Sequence, residues 1–225
     1  MTHFVLIPGA GGAGWYWSRV APMLAAAGHW ATALDLPADD PAAGLAAYAD
    51  HVVAAIGESR DAVVVAMSLG GFTAPLVAAR VPLRALVFVN AMIPVPGETA
   101  GAWWENTGWE AARTEAARAA GYDPAFDLDP YFLHDVPADV AAEGEAHQRP
   151  EADIVFGEPC SFAAWPEVPI HVIAGRDDRF FPLAFQRRVA RDRLGLDLDA
   201  LPGGHLIALS QPRTLADRLL GYLRD

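Results

Sequence analysis

The chain has 225 residues, enough for one large domain or two small ones and for a sizeable core. Hydrophobic residues make up 53% and charged residues 20%, which excludes a disordered chain. The formal net charge is −12 and every basic side chain is arginine, so nucleic acid and anionic membrane are poor partners and lysine Schiff-base chemistry is excluded. From the N-terminus, residues 3–7 form a short apolar run that ends at Pro8-Gly9 and reads as a strand. Residues 15–27 read as a helix ending at Gly28, and 30–34 as a second strand. Helical spacing follows over 45–56. Residues 62–66 are a strand, 69–80 a helix stopped before Pro82, and 85–89 another strand. Near the C-terminus, 170–174 is a strand, 182–194 a helix, 196–201 a strand and 211–223 a closing helix. Continuous apolar strands alternating with amphipathic helices predict an α/β fold, a mostly parallel sheet covered by helices on both faces.

The middle of the chain differs. Between residues 91 and 165 no strand pattern is found, yet the segment holds Trp103, Trp104, Trp109 and Trp165, with helical stretches over 109–120 and 137–147. Such aromatic content argues against a linker. The reading is a helical insertion, 91–165, in a core made of 1–90 and 166–225. No basic start of a signal peptide precedes the first apolar run. Residues 62–79 are uncharged, but Ser68, Gly70, Gly71, Thr73 and Pro75 interrupt them, so they do not read as a membrane span. A soluble cytoplasmic protein is expected. Cys160 is the only cysteine, which excludes an internal disulfide and a cysteine-rich zinc site, and the histidines show no metal-ligand spacing. No metal and no cofactor is expected.

The sharpest local signal is Ala66-Met67-Ser68-Leu69-Gly70-Gly71, which ends a strand and opens a helix. A serine on so sharp a turn needs small neighbours, because strand and helix backbones come close together there. Two further strand ends carry the partners that a serine nucleophile needs. The strand over 170–174 leads into Gly175-Arg176-Asp177-Asp178, and that over 196–201 leads into Gly203-Gly204-His205. The order serine, acid, histidine at successive strand ends predicts Ser68 as nucleophile and His205 as base, with Asp177 or Asp178 as the orienting acid. Acyl transfer also needs fixed backbone donors for the oxyanion. The Leu69 amide is one, and the glycine-rich loop Pro8-Gly9-Ala10-Gly11-Gly12 offers the other. That loop matches neither a dinucleotide fingerprint nor a P-loop.

Further stretches fill out the pattern: Phe4-Val5-Leu6-Ile7-Pro8-Gly9-Ala10, Gly14-Trp15-Tyr16-Trp17, Ala26-Ala27-Gly28-His29, Ala33-Leu34-Asp35-Leu36, Phe132-Leu133 with Pro137, Glu167-Val168-Pro169, Phe185-Gln186 and Gly204-His205. With these, nearly the whole chain resembles the α/β-hydrolase superfamily, and within it the plant methylesterase and hydroxynitrile-lyase group with its bacterial relatives. The resemblance implies an α/β-hydrolase fold with a helical cap. It implies Ala10 and Leu69 as oxyanion donors, and Asp178 rather than Asp177 as the acid. The lyases of this group use a threonine and a lysine; the matching positions here are Gly9 and Leu206, which favours ester hydrolysis. Pro8 stands where most relatives have histidine. The implied function is a cofactor-free carboxylesterase acting on a small or medium apolar ester. Other hydrolase chemistry (C–C bond cleavage, polyketide-type tailoring) and a non-catalytic small-molecule receptor are the alternatives. The expected pocket walls are Trp15, Met67, Met92, Trp103, Trp104, Phe132, His134 and Leu206. The sequence leaves the natural ester and the oligomeric state open.

Overall fold

A computed structural model describes residues 1–224. Six strands form one sheet: β1 (His3–Ile7), β2 (Trp30–Ala33), β3 (Ala62–Met67), β4 (Ala85–Val89), β5 (Ile170–Gly175) and β6 (Asp199–Leu201). Their order is β2-β1-β3-β4-β5-β6, and every pairing is parallel. Parallel strands covered on both faces must be apolar on both faces, and all residues of β1, β3 and β4 are buried.

Side chains alternate between the two faces. On one face Val5, Ile7, Val64, Ala66, Leu86 and Phe88 pack against α2 (Leu45–Ile56), α3 (Ala74–Ala78) and α8 (Leu183–Leu194). On the other, Phe4, Leu6, Val63, Val65, Val87 and Val89 pack against α1 (Ala21–Ala26) and α10 (Pro212–Gly221). The chain steps from β1 to β2 on one side and to β3 on the other. The order therefore reverses at the β1/β3 edge, and the crevice beyond those strand ends is where such sheets place ligands.

Between β4 and β5 lie α4 (Ala100–Asn106), α5 (Trp109–Ala120), a wide helical turn (Asp129–Leu133), α6 (Ala138–Glu145) and α7 (Ile154–Gly157). Apart from one antiparallel bridge, Thr99 to Pro159, no strand is found there among the described residues. The segment is anchored near its start by Glu98, whose buried carboxylate pairs with Arg193 of α8 and accepts from Asn106 Nδ2 at 2.9 Å. Among the described residues no helix is long and apolar enough to cross a membrane.

Three predicted elements differ. The helix expected over 15–27 is a 3₁₀ turn (Gly14–Trp17) followed by α1, and that over 69–80 is a 3₁₀ turn (Ser68–Phe72) followed by α3. Pro22 and Pro75 lack an N–H and sit second in α1 and α3, within the first turn, so each belongs to the start of a new helix instead of continuing one. The strand expected over 196–201 is only β6. The Leu196 amide is spent on Ala190 O at the end of α8, and the Leu198 amide on Asp197 Oδ1. A short helix, α9 (Ile207–Ser210), precedes α10 and was not foreseen.

Candidate active site

Ser68 stands at the end of β3 with φ of 51°. A side chain other than glycine or asparagine is uncommon in that left-handed region, at a cost of about 1–3 kcal/mol. The surroundings enforce the turn. A Cβ on Gly70 would run into the Pro8 carbonyl and one on Gly71 into the Met92 carbonyl, while one on Gly9 would lie 2.9 Å from Ser68 Cβ. The Met92 amide donates to Ser68 O at 3.0 Å and closes the turn from β4. These contacts leave the Ser68 hydroxyl at the head of a helix, beside the β1 loop.

His205 Nε2 lies 3.1 Å from Ser68 Oγ, and His205 Nδ1 lies 2.9 Å from Asp178 Oδ2. Both His205 and Asp178 are buried. Asp178 Oδ1 accepts from the Phe180 and Phe181 amides at 2.9 and 2.8 Å, and Oδ2 accepts from Gln186 Nε2 at 3.2 Å. The carboxylate is thus held at both oxygens and aimed at the imidazole. Asp177 points elsewhere: it is exposed, and its Oδ2 accepts from the Gly203 amide at 3.1 Å. Three aromatic rings, Phe132, Phe180 and Phe181, meet the imidazole edge-on at 4.9, 5.1 and 5.0 Å between centroids. Asn90, one residue beyond β4, links this loop to the acid loop. Its Nδ2 donates to the Gly204 and His205 carbonyls, and its Oδ1 accepts from the Gly175 amide.

The loop after β1 faces Ser68 from the other side. Gly11 and Gly12 have φ of 82° and 62°, and the Gly12 amide closes a turn on Gly9 O at 3.1 Å. Glu151 Oε2 accepts from the Gly11 amide at 2.7 Å, and its other oxygen accepts from the Tyr48 hydroxyl. Burial pushes the Glu151 carboxyl above its usual range, opposed by those two bonds and by Arg149. The Leu69 amide belongs to the first turn of a helix, where an N–H has no intrahelical acceptor. Ala10 and Leu69 both border the space in front of Ser68.

That space is a cavity of about 350 Å³. Five residues expected in its wall line it: Met67, Met92, Trp104, Phe132 and Leu206. Trp15, Trp103 and His134 do not. Trp15 is turned outward, stacked on His147 with centroids 5.0 Å apart and donating to Glu143 at 3.1 Å. Trp103 is fully buried beneath the cavity wall, donates to Ile93 O at 3.0 Å, and packs on Phe181 and Phe185. His134 lies behind the His205 loop, its Cε1 2.7 Å from where a Gly204 Cβ would stand. Sequence reading missed Tyr16, Leu128, Leu133, Gln148, Arg149, Phe156 and Phe180, which also line the cavity. Of these, Tyr16 and Leu133 lie in stretches that carry the family resemblance, and Phe180 stands two residues after Asp178; the other four carried no signal. Burial raises the Tyr16 phenol above its usual range, so it stays a neutral hydroxyl.

Cys160 offers no second nucleophile. It is fully buried, donates to Phe72 O at 3.1 Å, and burial pushes its thiol up to about 12. Among the described residues no group of three histidine, cysteine or carboxylate side chains is arranged to hold a metal ion.

Comparison with known families agrees with this architecture. The family profile described as "Alpha/beta hydrolase family" matches residues 4–218. The chain belongs to the alpha/beta hydrolase family. Its similarity to the rice "Probable esterase PIR7A" (Oryza sativa subsp. japonica) is 38% identity over 111 residues. That match spans 44% of this chain and 42% of that protein, less than half the length of the relative. The "Alpha-hydroxynitrile lyase" of Arabidopsis thaliana is 31% identical over 251 residues, covering 99% of this alpha/beta hydrolase and 97% of that protein. Among solved structures, polyneuridine aldehyde esterase shares the fold with a TM-score of 0.81 and 21% identity, covering 100% of both chains.

Proposed function

We propose that this alpha/beta hydrolase is a serine carboxylesterase acting on small or medium apolar esters. The observation that carries the reading is the hydrogen-bonded chain from Ser68 Oγ through His205 to Asp178, opening into a cavity walled by Met67, Met92, Trp104 and Phe132. Asp178 holds His205 with its Nδ1–H facing the carboxylate, so Nε2 is the free base. His205 Nε2 takes the Ser68 proton as Oγ attacks the ester carbonyl. The negative charge that develops on the carbonyl oxygen is met by the Ala10 and Leu69 amides. His205 then gives the proton to the departing alkoxide, and an acyl group remains on Ser68. Water, deprotonated by the same nitrogen, attacks the acyl carbon; the bond to Ser68 Oγ breaks, His205 returns the proton to that oxygen, and the acid is released.

Gly9 and Leu206 support hydrolysis over cyanohydrin cleavage. They stand where the lyases of the resembling group use a threonine and a lysine, and this chain contains no lysine. The reading treats 91–165 as a cap that supplies Trp104, Leu128, Phe132 and Phe156 to the wall and so sets the ester accepted. A cavity of about 350 Å³ lies in the size range of small-molecule pockets.

The test is intact-protein mass after exposure to a fluorophosphonate, with Ser68→Ala beside the wild type. One adduct on the wild type and none on the variant is expected, followed by turnover of uncharged chromogenic esters. A folded wild type that takes no adduct refutes the assignment.

A further inference from the structure

Asn90 is fully buried and has φ of 45°, one of two residues other than glycine with positive φ among those described. The other is Ser68. Asparagine is among the few residues that tolerate this backbone region. Its side chain is spent completely. Nδ2 donates to Gly204 O and His205 O, both at 2.9 Å, and Oδ1 accepts from the Gly175 amide at 2.7 Å and from Gln186 Nε2 at 3.3 Å. The same Gln186 Nε2 reaches Asp178 Oδ2 at 3.2 Å and Phe181 O at 2.7 Å.

The two loops that meet on this carboxamide leave the sheet together, because the β5–β6 ladder ends at the pair Gly175 and Leu201. Beyond that pair the Asp177 amide donates to Gly203 O at 3.0 Å and the Gly203 amide to Asp177 Oδ2 at 3.1 Å, but the next two residues of the base loop, Gly204 and His205, need a further tie to the acid loop. Asn90 supplies it from the end of the neighbouring strand, whose backbone is itself fixed by the Asn90 amide on Ile173 O at 2.9 Å. No other residue type meets both demands. Glycine accepts the backbone but has no carboxamide. Aspartate accepts the backbone and keeps the acceptor for Gly175, but sets a charge against two carbonyl oxygens. Glutamine has the group one methylene too far out and pays the left-handed strain.

We propose that Asn90 is a positioning residue. Its carboxamide sets the separation of His205 from Asp178, and thereby the line from His205 Nε2 to Ser68 Oγ. The inference rests on the esterase reading above and goes beyond it by assigning a role to a residue outside the reacting chain. Misplacing a catalytic group by about 1 Å costs up to roughly 100-fold in rate, with little effect on binding.

The experiment compares wild type, Asn90→Gly and Asn90→Asp for the rate constant of fluorophosphonate labelling, the final labelled fraction, and kcat and KM on a chromogenic ester. For Asn90→Gly the labelling rate and kcat are expected to fall together by about 10- to 100-fold, with KM within about twofold and the labelled fraction unchanged. Asn90→Asp is expected not to rescue the rate. A residue needed only for folding would lower the labelled fraction and the melting temperature while leaving the rate constant of the folded molecules intact, and that result overturns the proposal. So does an Asn90→Asp variant with the wild-type rate. If Asn90→Gly does not fold, Asn90→Asp carries the test alone, because it removes both Nδ2 donor bonds to the base loop while keeping the acceptor for Gly175. A wild type that takes no probe refutes the esterase reading and this role with it. A labelled wild type matched by Asn90→Gly refutes the role of Asn90 alone.

Discussion

Replacing Asp178 by asparagine keeps size and shape and removes one acceptor, so its effect can be worked out atom by atom. The carboxylate accepts from the Phe180 and Phe181 amides on Oδ1, and faces Gln186 Nε2 and His205 Nδ1 with Oδ2. In Asp178→Asn the amide oxygen stays with the two backbone N–H groups, since a donor there would face two donors. The new NH₂ therefore faces His205. The imidazole must turn its Nδ1 lone pair toward it, which puts the proton on Nε2 and points N–H at Ser68. A base with that tautomer cannot take the serine proton. The loss expected in kcat is about 10⁴-fold, or roughly 5.4 kcal/mol at 1.36 kcal/mol per decade. KM should stay within a factor of about three, because Asp178 is not in the cavity wall. Asp177→Asn removes only an exposed acceptor from the Gly203 amide and should cost less than about threefold. The assay is kcat and KM on a chromogenic ester, with the fluorophosphonate labelling rate as a check that needs no substrate assumption. An Asp178→Asn enzyme retaining more than about a tenth of kcat, or a larger loss at Asp177→Asn, refutes the assignment of the acid.

Ser68 has φ of 51°, so Ser68→Gly relieves backbone strain that Ser68→Ala retains. Both should be inactive, with the glycine variant more stable by about 1 kcal/mol, or roughly 2–4 °C in Tm; equal melting temperatures would deny the strain. Arg193 and Glu98 pair with side chains 9% and 2% exposed, so Arg193→Met strands a buried carboxylate and should cost about 3–5 kcal/mol in chemical denaturation. Cys160, with its thiol pushed up to about 12, should resist iodoacetamide in the folded protein and react in denaturant; ready alkylation of the native chain would contradict its burial. Burial raises the Glu151 carboxyl, so its contribution to stability is present at low pH and is lost as pH rises through the raised folded value. Glu151→Gln accepts from Gly11 N and donates to Tyr48 O. Its Tm should gain on the wild type as pH rises from about 4 to 7, and parallel profiles would refute the shift.

What the sequence revealed and what it hid have different physical ranges. The strands were legible because burial on both faces forces uninterrupted apolar runs such as Val63-Val64-Val65. The meeting of Ser68, His205 and the Asp177-Asp178 pair was legible because each sits just beyond a strand, where local sequence and chain order suffice; the choice of Asp178 over Asp177 came only with the family resemblance. Helix α4 was missed although Thr99 caps it by accepting from the Ala102 amide at 3.0 Å; Gly101 and its short length masked the periodicity. Trp103 and Trp104 show the limit most clearly. Successive helical residues point about 100° apart, so one tryptophan enters the core and its neighbour faces the cavity. Choosing between them needs the orientation of α4 on the sheet, which no local pattern encodes. Gln148 and Arg149 reach the cavity from the returning end of the same segment, again by long-range packing.

That segment between β4 and β5 does more than wall the cavity, because it holds each loop that carries the proposed chemistry. The Gly204 amide, next to the base, donates to Asp135 Oδ2 at 2.6 Å. The Gly11 amide, next to the proposed oxyanion donor Ala10, donates to Glu151 Oε2 at 2.7 Å. The Phe180 carbonyl, two residues beyond the acid, accepts from Trp109 Nε1 at 2.7 Å. Glycine at 11 and 204 is what permits such close docking. A Cβ at either would stand 2.6 Å from the segment, against Arg149 O in one case and Asp135 Oδ1 in the other. The cavity wall and the ties beside the proposed base, the proposed acid and one proposed oxyanion donor therefore lie on one stretch of chain. A substitution in that stretch outside the cavity wall, at Asp135 or Trp109, should change kcat without touching substrate. A change confined to the wall, at Leu128 or Phe156, should act first on which ester binds.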